Sequence, residues 1–290
     1  MRTAAIFVLA TACYRDSAPV AVHNADPLVI APAVHCGSDD LDFPVIDPNP
    51  TLRLRTHSTG PLTGWTAPTT PANIPARVGN KTLLLLDEVD GGYLALYRSP
   101  YGPGSCDGDT NCTYDASLFD RTGTQRWTVA LGELMSRPDH LEVQDIRLAG
   151  GVLYFNEACQ SYSSGAHGEC SALVAVDPVR ASVLWRTRPL VSNGRFAIRG
   201  CYIVAGYGFT AEPDALHLVD RATGRVLRKL PVSSAPQRYL FSDPNELAIQ
   251  LHSGKTRRYQ LKGFDSRSPA MDSLDRPEAM GGATYGGRRP

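Results

Sequence analysis

Six cysteines, one acidic loop and a few scattered histidines and glutamates are the residues of this chain most able to do chemistry. Cys106 and Cys112 lie close in sequence, as do Cys159 and Cys170, while Cys36 and Cys201 are far apart. An even set of this kind in an exported chain reads as a disulfide framework. The close pairs are expected to bond locally, each contributing roughly 2–3 kcal/mol through closure of a short loop. Cys36 and Cys201 would pair with each other across the domain or remain thiols, and pairing is the expectation. No spacing matches the C-x-x-C pattern of a zinc site. The first close pair encloses Asp107-Gly108-Asp109-Thr110-Asn111, and Asp115 follows. Oxygen ligands at alternate positions are what calcium requires, so Asp107, Asp109, Asn111 and Asp115 form a candidate calcium loop. Cys112 stands where such loops need Gly, and Leu118 where they need Glu. An acidic turn without metal is therefore the expectation, and no other cofactor is implied. His140 and His167 fall in loops and His217 alternates with leucines on a strand, with no nucleophile elbow or H-E-x-x-H pair to join. Glu157 and Glu169 flank the second cysteine loop and could supply an acid pair. No catalytic set is complete.

A seventh cysteine speaks to address rather than reaction. Met1-Arg2-Thr3 gives a charged start, Ala4 to Ala12 a short apolar run, and Cys13 follows. The run Leu9-Ala10-Thr11-Ala12-Cys13 has the form of a bacterial lipobox, in which the cysteine is acylated and becomes the new N-terminus. Ala10 stands where Leu is usual, and an ordinary signal peptide cleaved nearby is the alternative. The address expected is the bacterial cell envelope as an outer-membrane lipoprotein, with secretion as the alternative. No other apolar run approaches the roughly 20 residues that span a bilayer. Lys+Arg and Asp+Glu both number 29, so the formal net charge is zero and the basic footprint of a nucleic-acid binder is absent.

The elements that must position these residues are short strands. Residues 14–50 are rich in Pro, Ala and Asp without a period and read as a tether; residues 264–290 read as a disordered tail. Between them, over 51–263, strands fall into groups of four. The first is Leu83–Val89, Tyr93–Arg98, Ser117–Asp120 and Arg126–Leu131. The second is Leu141–Leu148, Val152–Glu157, Ala172–Asp177 and Ser182–Thr187. The third is Gly194–Ile198, Tyr202–Gly206, Ala215–Asp220 and Arg225–Leu230. The fourth has only Tyr239–Phe241, Leu247–Leu251 and Thr256–Leu261, and Thr51–Thr56 is expected to supply its missing strand. No run of a dozen residues holds a 3.6 period, so no helix is expected.

One phrase repeats within the groups: an alternating strand, an Asp, a tight turn, then a second strand. It occurs at Asp120-Arg121-Thr122-Gly123 before Trp127, at Asp177-Pro178 before Trp185, and at Asp220 with Thr223-Gly224 before Val226-Leu227. The aspartates are 57 and 43 residues apart, near the period of a propeller blade. The phrase resembles the PQQ-type, quinoprotein-like propeller repeat, with Leu173-Val174-Ala175-Val176-Asp177 and Trp185 as its best copy. That resemblance implies an all-β propeller of four-stranded antiparallel blades, about four to five of them, with an incomplete or irregular array as the alternative. It implies structural roles for the Asp and Trp, capping the turn and packing between blades. Quinoprotein dehydrogenases also need longer chains and adjacent cysteines, which are absent, so PQQ chemistry is not expected.

The function expected is that of a non-enzymatic envelope lipoprotein, a propeller scaffold binding a protein or peptide partner through its disulfide-stiffened loops. The alternatives are a hydrolase or lyase acting on saccharide or peptide in the central opening, or a calcium-dependent adhesin. Two or more carboxylates clustered in that opening would favour the enzyme.

Overall fold

The computed structural model describes residues 71–100, 112–137, 141–160, 162–209, 211–243, 246–262 and 270–274. These form four antiparallel blades of a β-propeller, in chain order. The first blade holds β1 (Arg77–Val78), β2 (Lys81–Val89), β3 (Gly92–Ser99), β4 (Thr113–Asp120) and β5 (Gln125–Ala130). The second holds β6 (Leu141–Glu142), β7 (Ile146–Ala149), β8 (Val152–Cys159), β9 (Ala172–Asp177) and β10 (Ser182–Arg186). The third holds β11 (Phe196–Arg199), β12 (Tyr202–Tyr207), β13 (Ala215–Asp220) and β14 (Val226–Pro231). The fourth holds β15 (Pro236–Asp243), β16 (Glu246–Leu251), β17 (Thr256–Lys262) and β18 (Ala270–Leu274). Among the described residues the only helical turns are two 3-10 pieces, Leu131–Glu133 and Ser163–Ala166.

Apolar faces of successive sheets bury one another. Leu94, Leu96 and Tyr114 of the first blade meet Ile146, Phe155 and Val174 of the second. Tyr154 and Ala175 on the opposite side of the second blade meet Ile203 and Val219 of the third. Leu216 and Leu218 of the third meet Phe241 and Ile249 of the fourth. Middle strands are therefore covered on both faces, which is why β8 and β9 are buried at every residue and open on the apolar runs 152–155 and 172–176. The last strands β5, β10 and β14 are exposed or half-buried at nearly every residue, which marks them as the outer edge.

Two expectations fail, each for a physical reason. Leu141–Leu148 is not one strand: β6 pairs with the end of β8 and β7 with its beginning. Between them Asn156 Oδ1 accepts the backbone N–H groups of Gln144 at 2.9 Å and Asp145 at 3.0 Å. A side chain has replaced two rungs of the ladder, so the strand breaks. The fourth blade is also not short of a strand within 236–274. Its outer strand is β18, paired Arg258 with Leu274 through Lys262 with Ala270, inside the stretch read as a tail. The proposed donor Thr51–Thr56 lies outside the described residues, as do the leader, the tether 14–50, Cys13 and Cys36.

Candidate functional site

The turns joining third to fourth strands lie along one rim, here the lower. The repeated aspartates occupy matching corners of three blades, at the ends of β4, β9 and β13. Asp120 Oδ1 accepts the N–H groups of Thr122 (2.9 Å) and Thr124 (3.0 Å). Asp177 Oδ1 accepts those of Val179 (2.9 Å) and Arg180 (3.1 Å), and Asp220 Oδ1 those of Ala222 and Thr223 at 3.0 Å. Each carboxylate closes its own turn by satisfying donors the turn would orphan. The Thr122 hydroxyl, with those amides and Arg126, holds the Asp120 carboxyl below its ordinary range.

Blades are locked together at the same rim. Trp185 lies across Gly224 of the next blade, where a Cβ would meet the indole at 2.5 Å, and Gly224 also needs φ +71°. Its Nε1–H donates to Arg221 O at 3.0 Å, and its ring lies 5.9 Å from that of Tyr154. The buried Arg221 guanidinium donates to Tyr154 Oη at 2.9 Å. The first blade has the same seat with another occupant: Asn73 Nδ2 donates to Arg121 O at 2.7 Å and its backbone covers Gly123. Asn73 does there the work of the tryptophan, and no local signal in the sequence announced it.

Near the inner strands two carboxylates, Asp87 and Asp145, cluster around one arginine. Arg147 Nη1 meets Asp87 Oδ2 at 2.6 Å and its Nη2 meets Asp145 Oδ2 at 3.0 Å. Asp145 Oδ2 also accepts Phe196 N–H at 3.1 Å, so the group ties together the first strands of three blades. Burial works against the Arg147 charge, yet Asp145 and Asp87 together hold its pKa above the ordinary value. The guanidinium sits between the acids, and all three side chains are buried. A clamp of this kind positions strands rather than exchanging protons with a ligand.

The opposite, upper rim carries the loops joining second to third strands, and here the cysteines lie. Cys159 and Cys170 are bonded, and both are buried. Cys112 is disulfide-bonded at the equivalent place before β4, while its expected partner Cys106 lies outside the described residues. Cys201 is buried in the third blade. Of the calcium candidates, Asp107, Asp109 and Asn111 lie outside the described residues. Asp115 does not point to an open loop: Lys81 Nζ stands 2.6 Å from its Oδ1. Among the described residues no group of three metal-ligating side chains gathers.

Glu157 and Glu169 do not form an acid pair. Glu157 is buried and accepts Ser136 N–H at 2.7 Å and both Arg186 Nε (2.9 Å) and Nη2 (2.8 Å). Glu169 is exposed and pairs with Arg137 at 2.9 Å. His217 is buried between the second and third blades with Nδ1 3.1 Å from Val191 O. Burial first, then the charges of Lys229 and Arg188, push its pKa down to about 4 against that hydrogen bond.

The second cysteine loop is fastened to the third blade by Glu212, which sequence reasoning did not single out. Glu212 Oε1 accepts Ser163 N–H at 2.8 Å and its hydroxyl at 2.7 Å, while Oε2 accepts the Tyr207 hydroxyl. Partial burial opposes the Glu212 charge, but Tyr207 and Ser163 outweigh it and hold the carboxyl below its usual value. Beside this tie the exposed Tyr162 ring packs 5.7 Å from Phe209, which in turn lies 6.2 Å from Tyr207. The result is a braced loop ending in an aromatic side chain that is 45% exposed.

No protein-family model matches the sequence, and no curated protein matches it. Similar solved structures include the computationally designed Ika4 protein, at 12% identity over 66% of this chain and 99% of that one, with a TM-score of 0.42. The WD40 domain of Neurospora crassa Pan2 is 11% identical over 65% of this chain, with a TM-score of 0.39; the match spans 51% of that domain. BamB from Moraxella catarrhalis is 13% identical over 65% of this chain and 68% of that one, with a TM-score of 0.30.

Proposed function

We propose that this chain is a non-enzymatic, quinoprotein-like propeller of the bacterial envelope that presents its upper rim to a protein or peptide partner. Cys13 would carry the lipid and residues 14–50 would be the tether. The observation that carries the reading is Tyr162, an exposed aromatic on a loop held by a disulfide, by Glu212 and by Phe209. A side chain ordered before binding forfeits little entropy on contact, and aromatics of this kind dominate the energy of protein interfaces. Among the described residues the lower rim exposes Val179 but no aromatic side chain to the extent of Tyr162, and its Asp turns spend their polar groups on themselves. Against catalysis in the opening stands Arg147, bonded to both inner carboxylates.

Replacing Tyr162 with a photo-crosslinking phenylalanine in the producing cell tests this. One dominant protein adduct at Tyr162, missing when the crosslinker replaces the 83%-exposed Val179 of the lower rim, supports it. No adduct, or the same adducts at both sites, refutes it. Mass spectrometry of the mature chain tests the anchor, which requires an acylated Cys13 at the N-terminus.

A further inference from the structure

Three acids near the upper rim have cations of their own: Lys81 stands beside Asp115, Arg186 beside Glu157 and Arg137 beside Glu169. Glu212 has none among the described residues. Its carboxylate is met instead by neutral donors, the Ser163 N–H and hydroxyl on Oε1 and the Tyr207 hydroxyl on Oε2. Against partial burial, those donors keep the group ionised, and no lysine or arginine charge contributes. This unbalanced negative charge lies within a cluster of rings. The Glu212 N–H donates to Phe209 O at 3.0 Å, closing the turn that carries both residues. Phe209 packs 5.7 Å from Tyr162 at an interplanar angle of 54°, and 6.2 Å from Tyr207 at 78°. Tyr207, whose hydroxyl reaches Glu212, is buried, while Phe209 is half-buried and Tyr162 is exposed. Direct contacts thus tie the carboxylate to an exposed ring and a half-buried one.

Resting on the binding role proposed above, we infer that the partner delivers an arginine side chain to this corner, its guanidinium plane stacked on the Tyr162 ring and its charge met by Glu212. A cation over a tyrosine face is attracted by the ring quadrupole, and a carboxylate without counter-charge adds to the pull. An anion is refused, because Ser163 and Tyr207 already give their hydroxyl hydrogens to Glu212. An apolar side chain would cover an ionised carboxylate and strip its water with no return. What Glu212 has left favours arginine over lysine. A carboxylate offers about four lone-pair sites and three hydrogen bonds already occupy it, so it can receive one N–H but not a fork. A guanidinium gives that single bond from its edge while its weakly hydrated plane lies on the ring. An ammonium surrenders more hydration for the same contact.

The test is an NMR titration of the full chain with Nα-acetylarginine amide, read on the ring protons of Tyr162 and Phe209. Nα-acetylcitrulline amide, of the same shape but neutral, is the control. Saturable shifts with the arginine probe alone, weakened by salt, are expected. Glu212→Gln removes the charge and keeps an oxygen for Ser163; it should weaken binding roughly fivefold, and Tyr162→Leu at least as much. Glu88→Gln on the lower rim should leave binding unchanged, and thermal melts verify that each variant is folded. Equal shifts with both probes, indifference to Glu212→Gln, or tighter binding of Nα-acetyllysine amide or choline overturns the inference. If the Tyr162 adduct forms undiminished in the Glu212→Gln chain, this inference falls and the binding role stands. If no adduct forms in the unaltered chain, the binding role itself falls.

Discussion

The two rims of this propeller are built from the same strands by opposite rules. On the lower rim each Asp accepts amides of its own turn, and Trp185 or Asn73 seats on the glycine of the following or same blade. Everything there is spent on holding sheets together. On the upper rim the loops joining second to third strands of the first two blades both carry disulfide-bonded cysteine, and around the second the described residues add a half-buried carboxylate, Glu212, and an aromatic stack. Constraint by repetition belongs to folding, and constraint by added devices to whatever the surface meets.

The comparison can be broken most directly at Trp185. Trp185→Ala should cost about 3 kcal/mol by emptying the seat over Gly224, read by urea denaturation, and should leave Tyr162 crosslinking intact. A stability loss below the noise would show that the lower rim is not the lock. His217 tests the layer between the rims. Its folded pKa, about 4, lies below the unfolded value near 6.5, so the unfolded chain binds the extra proton between those pH values. Its contribution is whole above about pH 6.5 and disappears as pH falls toward 4, a change of about 3 kcal/mol. The stability difference between the native chain and His217→Gln should therefore depend on pH in that window and be flat above it.

Replacing Cys159 and Cys170 together with Ser should lower stability by about 2–3 kcal/mol and also reduce crosslinking at Tyr162, since the same bond serves both ends. Undiminished crosslinking would mean that Glu212 alone holds the loop. Asp220→Ala should cost about 1 kcal/mol, a loss confined to one turn. The smallest stability effect is expected at Tyr162→Ala, within about 0.5 kcal/mol of the native chain, together with the largest loss of partner binding.

How legible this was depended on how local each signal is. The Asp corners and Trp185 could be read from the sequence because turn, strand and packing residue lie within nine positions of one another and recur. The break inside Leu141–Leu148 could not, because Asn156 acts on it from the next strand. Asp87 and Arg147 are 60 residues apart and Ser163 and Glu212 are 49 apart, so their pairing exists only after the blades stack. Asn73 has no motif, being recognisable only by the Gly123 it covers. The strand Ala270–Leu274 carries no signal of its own, because Ser, Pro, Asp and Arg surround it and only its pairing with β17 makes it a strand.

That last strand also governs how the chain behaves while incomplete. Until residue 274 has been made, Thr256–Lys262 presents a bare row of amide and carbonyl groups with no neighbour on one side. Such an edge is a template for any passing extended chain. The final rung of the fourth blade is thus a guard against aggregation that arrives only after the strand it covers.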